Sequence, residues 1–174
     1  MESDSVAVAQ TWRTTHGDMS DEEWELIADL VAPYWTPGSM GRPVKVDKSL
    51  DEVKAADYDA IVLPGGQINP DLLRVNDKAL KLIKDFYAQK KVVAAVCHAP
   101  WLLIETGIIK GRKATSYKSI KTDMINAGGA WEDSPVVVDQ GIITSRNPGD
   151  LDAFSAKIIE EMAEGRHSQR NAVA

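Results

Sequence analysis

From residue 60 onward the chain alternates between short unbroken apolar runs and stretches whose apolar residues recur every three or four positions. Ala60-Ile61-Val62-Leu63 and Val92-Val93-Ala94-Ala95-Val96 are apolar without interruption and of strand length, the pattern of strands covered on both faces. Between them Leu80, Ile83 and Tyr87 mark one face of a helix from about 77 to 89, with Asn76 or Asp77 as its cap. Trp101 to Thr106 predicts a short helix stopped by Gly107. Val136-Val137-Val138 and Ile142-Ile143-Thr144 flank Asp139-Gln140-Gly141 and predict a hairpin, and Leu151 to Met162 predicts a closing helix. Strands alternating with helices of this length imply a mostly parallel sheet with helices on both faces. The expected fold class is α/β.

The first quarter of the chain reads differently. Ser20 and Glu23 form a capping box, and Trp24, Ile27, Ala28 and Val31 give an amphipathic helix that Pro33 ends. Val6-Ala7-Val8-Ala9 is a short strand candidate ahead of it. Residues 1–43 hold eight acids against two bases, whereas the remainder is balanced at 18 of each. The breaker-rich Pro37-Gly38-Ser39-Met40-Gly41-Arg42-Pro43 lies at that seam. The expected organisation is an atypical N-terminal segment over 1–43, an α/β domain over 44–164 and a polar tail over 165–174.

Composition then removes several classes of function. A length of 174 residues suits one α/β domain. A net charge of −6 offers no basic excess to displace counterions, so neither a nucleic acid nor an acidic membrane is an expected partner. No apolar run reaches the ~18 residues of a membrane span, and the N-terminus is acidic where a secretory signal would be basic. Cys97 is the sole cysteine, which excludes an internal disulfide and makes a reducing, cytoplasmic compartment the expectation.

The candidate chemistry lies where the apolar strands end. The second strand delivers Cys97 into a sharp strand-to-helix turn, with Pro100 suited to the helix's first turn. Backbone N–H groups there favour thiolate and could receive an oxyanion, so a thiol pKa below the usual ~8.5 is expected. A small buried cysteine that merely packs is the plainer alternative. His98 adjoins it, as a general base or as a residue capping the turn. Pro64-Gly65-Gly66 ends the first strand, and two glycines allow backbone N–H groups to face a cleft. His16, His98 and His167 show no ligand spacing, so neither a metal nor another cofactor is expected.

These residues together resemble a family. Tyr58 to Gly66, Val93 to Pro100, Leu103 to Gly107, Gly111 to Ser116, Asp123 to Gly129, Trp131, Val136 to Ser145 and Pro148 to Leu151 are similar, in order, to the ThiJ/PfpI family of the class I glutamine-amidotransferase-like superfamily. The resemblance covers about residues 44–164. It implies a flavodoxin-like three-layer sandwich, a nucleophile-elbow cysteine at Cys97 with His98 as its imidazole partner, and an oxyanion hole from the N–H groups of Gly66 and His98. It also implies a homodimer or higher oligomer in which an acid after the Gly-Gly turn reaches the histidine of a neighbouring subunit; the matching position is Asp71.

The N-terminus departs from that pattern. Nothing before residue 44 matches the family's first strand and the Glu that supports ionisation of its cysteine, so the N-terminal strand-helix unit is expected to be atypical or replaced. Thr15 to Trp24 and onward to Pro43 instead resembles the N-terminal segment of insertion-element transposases, which implies a chimeric gene without implying DNA transposition. Val6–Ala9 and the following helix are expected to substitute in part for the missing unit, with His16 or Asp18 near the cysteine. The resemblance leaves two classes of function. One is a cysteine-dependent hydrolase or glyoxalase/deglycase-type enzyme acting on a small carbonyl compound, a peptide or a glycated protein. The other is a non-catalytic stress or redox protein with an oxidisable cysteine, beside which stands an inactive truncated chimera.

Overall fold

A computed structural model describes residues 47–168. The readings made for Val6–Ala9, the 20–33 helix, His16, Asp18 and the end of the tail lie outside those residues. In chain order the described elements are β1 (Ala60–Leu63), α1 (Ile68–Leu73), α2 (Asp77–Ala88), β2 (Val92–Val96), α3 (Pro100–Glu105), β3 (Lys113–Ala114), α4 (Lys121–Asn126), β4 (Ala130–Trp131), β5 (Val136–Asp139), β6 (Ile142–Ser145) and α5 (Leu151–Glu164). Short 3₁₀ turns lie between several of them.

The main sheet has the order β1-β2-β6-β5. β1, β2 and β6 are parallel, and β5 returns antiparallel to β6 through the expected hairpin. β3 and β4 pair separately as a short parallel ladder. Alternate side chains of the sheet enter two cores. Ile61, Leu63, Val93, Ala95 and Ile142 pack with Leu82, Ile83 and Phe86 of α2 and Leu102 and Leu103 of α3. Ala60, Val62, Val92, Ala94, Val96 and Ile143 pack on the other face with Phe154 and Ile158 of α5. β1 and β2 are buried at every position for this reason, and it is why they read as unbroken apolar runs rather than as alternation.

Two polar anchors hold the layers in place. The Lys91 ammonium, at the foot of β2, donates to the carbonyls of Ala55 (2.6 Å), Ala56 and Tyr58, which satisfies a charge carried on a buried side chain. Arg112 ties the approach to β3 to the hairpin. Its guanidinium donates to Asp139 Oδ1 (3.1 Å), Gln140 Oε1 (3.3 Å) and Tyr87 Oη (2.6 Å), while Asp139 Oδ2 accepts from the Lys113 N–H (2.9 Å). Only 9% of the Arg112 side chain is exposed. Removing one partner of a buried pair leaves the other charge unpaired, so Arg112→Ala is expected to lower the unfolding free energy by about 3–5 kcal/mol in urea titrations. A change under about 1 kcal/mol would mean that the cluster is open to solvent.

Candidate active site

The site forms at the carboxyl ends of β1 and β2, where side chains and backbone of adjacent strands converge. Cys97 follows β2 directly and takes φ +65°, the left-handed region that a non-glycine residue enters at a cost of about 1–3 kcal/mol. Its neighbours hold it there. The Cys97 N–H donates to Ser145 O (3.0 Å) beyond the last rung shared with β6, and its carbonyl accepts from the Tyr117 N–H (2.8 Å). The Ala99 N–H closes the turn on Val96 O (3.1 Å), and Pro100 starts α3. The result is a forced strand-to-helix turn that lifts one side chain out of the sheet.

The Pro64-Gly65-Gly66 segment forms the facing wall. A Cβ at Gly65 would stand 2.6 Å from Cys97 Cβ and 2.9 Å from Val96 O, so only glycine lets the two strand ends approach this closely. Gly66 has open space around it but φ +78°, and in that conformation its N–H favours negative charge on the Cys97 sulfur. The His98 N–H does the same. The structure thus brings Cys97, His98 and Gly66 together, with the N–H groups of Gly66 and His98 near enough to the sulfur to lower its pKa against burial.

The His98 ring lies over the thiol, with Nδ1 3.2 Å from Cys97 Sγ and Nε2 3.0 Å from Ser119 Oγ. It stacks on Tyr117 (centroids 4.9 Å apart) and meets the Trp101 ring edge-on at 5.3 Å. Trp101 is fixed in turn, because its Nε1–H donates to Asp123 Oδ2 (2.8 Å) and the Arg74 guanidinium covers its ring at 5.1 Å. Arg74 is paired with Glu105 of α3 (2.9 Å). The tautomer in which Nδ1 accepts from the thiol carries its proton on Nε2, where Ser119 Oγ can accept it.

The expectation of a lowered thiol pKa is not met. Burial pushes Cys97 above the ordinary thiol value, and the N–H groups of Gly66 and His98 pull against that without reversing it. α3 is a six-residue helix, so the dipole on which the expectation leaned is small. Burial also holds His98 below its ordinary value and therefore neutral at pH 7. A neutral imidazole beside a protonated thiol is the arrangement for general-base activation, in which the proton leaves as the sulfur attacks. Iodoacetamide alkylation of Cys97 should accordingly rise with pH and inflect above the free-thiol value of about 8.5. An inflection well below 8.5 would show a preformed thiolate.

Asp71 is not brought to His98 within the chain. It is exposed on α1, where its N–H donates to Gln67 O (3.3 Å), and its carboxylate has no hydrogen-bond or ion-pair partner among the described residues. Ser119 takes the far nitrogen of the imidazole instead. The sequence reading missed Ser119 and Tyr117, which lie 21 and 19 positions beyond His98 in a loop without a motif of its own. Gly111 to Ser116, already matched to the family, ends one residue before that loop and was its nearest signal.

An α/β sandwich with a cysteine on a strained strand-to-helix turn, a neutral histidine against it and a Gly-Gly turn facing it defines a class of cysteine-centred proteins. Residues 25–161 match the DJ-1/PfpI family, and this chain belongs to that family. Deglycase PfpI of Pyrococcus furiosus is 46% identical over 123 residues, 71% of this chain and 74% of that protein. YraA of Bacillus subtilis, provisionally named a cysteine protease, is 46% identical over 131 residues, 75% of this chain and 77% of that protein. Among solved structures, Drosophila melanogaster DJ-1beta superposes with a TM-score of 0.65 at 34% identity, covering 71% of this chain and 66% of that one. The flavodoxin-like α/β fold follows from the sheet order and from these neighbours.

Proposed function

We propose that this chain is a cysteine-dependent enzyme of the deglycase/glyoxalase type, acting on the carbonyl carbon of a small aldehyde or of a glycated protein. The observation that carries the reading is the contact of Cys97 Sγ with His98 Nδ1 on an elbow whose Gly66 and His98 N–H groups face the same point. As the sulfur adds to the carbonyl carbon, its proton passes to His98 Nδ1 and the π pair moves to oxygen, where the two N–H groups receive it. His98 then returns the proton to that oxygen, which completes a hemithioacetal. The name of the Pyrococcus relative supports this substrate class, and that of the Bacillus relative supports peptide cleavage through the same nucleophile.

Steady-state assays with methylglyoxal, a glycated peptide and an unmodified peptide amide decide between the two chemistries. The proposal expects turnover of the first two; peptide-amide turnover alone would replace it with peptidase action. Turnover of none, with sulfenic acid forming at Cys97 under peroxide, would favour the redox reading. Since His98 must be neutral to accept the proton and its pKa lies below 6.5, the acid limb of kcat/KM should fall below about pH 6.5.

Asp71 enters this proposal as an acid supplied by a second copy of the chain. Its carboxylate is exposed and has no partner among the described residues, which leaves it open to the neighbour's His98. Activity should then fall on dilution in step with dimer dissociation followed by sedimentation, and Asp71→Asn should lower kcat. An active, strictly monomeric protein would remove Asp71 from the site.

A further inference from the structure

The opposite end of the sheet carries a cluster that the reading above leaves unused. α5 ends at Glu164, and Gly165, at φ +84°, turns the chain back toward the sheet. The His167 N–H then donates to Lys90 O (3.0 Å), just ahead of β2. The imidazole lies against Gly141 in the β5–β6 turn, where a Cβ would come within 2.1 Å of its Cδ2. Only 11% of the His167 side chain is exposed; its Nε2 is buried and has no hydrogen-bond partner among the described residues. A buried polar atom left in this state is destabilising unless something pairs with it.

Nε2 points at Glu161, whose side chain is equally buried, across 3.5 Å. Two ligands about 2.0–2.1 Å from one tetrahedral ion stand about 3.3 Å apart, so this gap suits a shared ion. Glu164, one helical turn beyond Glu161, completes a group of three ligand atoms that lie within 4.8 Å of one another. Glu164 is exposed, so its side chain has room to turn toward the other two. We propose that Glu161, Glu164 and His167 bind a divalent transition-metal ion of the zinc type that fastens residues 165–168 to the amino end of the sheet. One imidazole nitrogen and two carboxylates suit zinc, with cobalt or nickel as substitutes, better than calcium, which takes six to eight oxygens. Lys90 and Gly141 precede β2 and β6, whereas Cys97 follows β2, so the ion serves the fold and stands apart from the carbonyl chemistry.

The histidine spacing in the sequence hid this group because two of its three members are glutamates on α5. The test uses the full chain stripped with a chelator, titrated with Zn²⁺ by calorimetry and with Co²⁺ by visible absorption. Saturable binding of a single ion, a raised melting temperature and a tetrahedral Co²⁺ spectrum are expected, all retained in Cys97→Ala. His167→Gln and Glu164→Gln should each weaken Zn²⁺ binding by about tenfold or more. Glu164 is exposed, so its substitution leaves folding intact. No saturable Zn²⁺ binding, or binding that survives both substitutions, would overturn the proposal.

Discussion

Cys97→Ser is expected to abolish methylglyoxal turnover, lowering kcat/KM by about a thousandfold or more while the melting temperature stays within a few degrees. The hydroxyl is a far weaker nucleophile than the thiol, and His98 alone does not shift its proton without a stronger base. The fold should hardly notice, since Sγ is half-buried and its backbone contacts to Ser145 and Tyr117 involve only main-chain atoms. Residual turnover above a tenth of wild type would mean that the chemistry lies elsewhere. Unfolding of the variant would instead mean that Cys97 is a packing residue. Circular dichroism beside the assay separates the two outcomes.

Gly65→Ala should be the most damaging substitution outside the reacting groups. Its Cβ would collide with Cys97 Cβ at 2.6 Å and with the Val96 carbonyl at 2.9 Å, atoms that cannot swing aside as a flexible side chain would. Overpacking of this kind costs about 1–3 kcal/mol. The relief available is to push the elbow away from Gly66, and a displacement near 1 Å costs about 100-fold in rate. Gly66→Ala is the control, because open space surrounds that position and the penalty is the positive φ alone, about 1 kcal/mol or more. Urea titration and kcat/KM on both variants should show the larger loss at Gly65. Equal effects would mean that backbone conformation, and not the approach of the two strand ends, sets the geometry.

Most of the sheet was legible because its strands carry their burial in composition. Ala60–Leu63, Val92–Val96, the hairpin around Gly141 and the helix over Asp77–Ala88 emerged where the periodicity placed them. The pieces that escaped are short. α1 begins within Gln67-Ile68-Asn69-Pro70, which reads as a turn, yet proline is tolerated in the first turn of a helix. α4, with six residues, and the two-residue strands β3 and β4 are too brief for any period to register.

The sequence by itself determined the α/β class and the strand that carries Cys97 to the carboxyl end of the sheet. It also marked the two glycines facing that strand and the ordered run of motifs that belongs to the family. All of these depend on neighbours close along the chain, where periodicity and turn chemistry speak directly. Three things waited for the tertiary structure: the partner of His98, the direction of the thiol pKa, and the meeting of Glu161 with His167. Ser119 reaches His98 across 21 residues, and the thiol's pKa depends on how deeply β1, β6 and the 117 loop bury it. His167 meets the sheet only because Gly165 turns the chain back over Gly141. Burial and long-range approach are properties of the packed chain, and local sequence carries no measure of either.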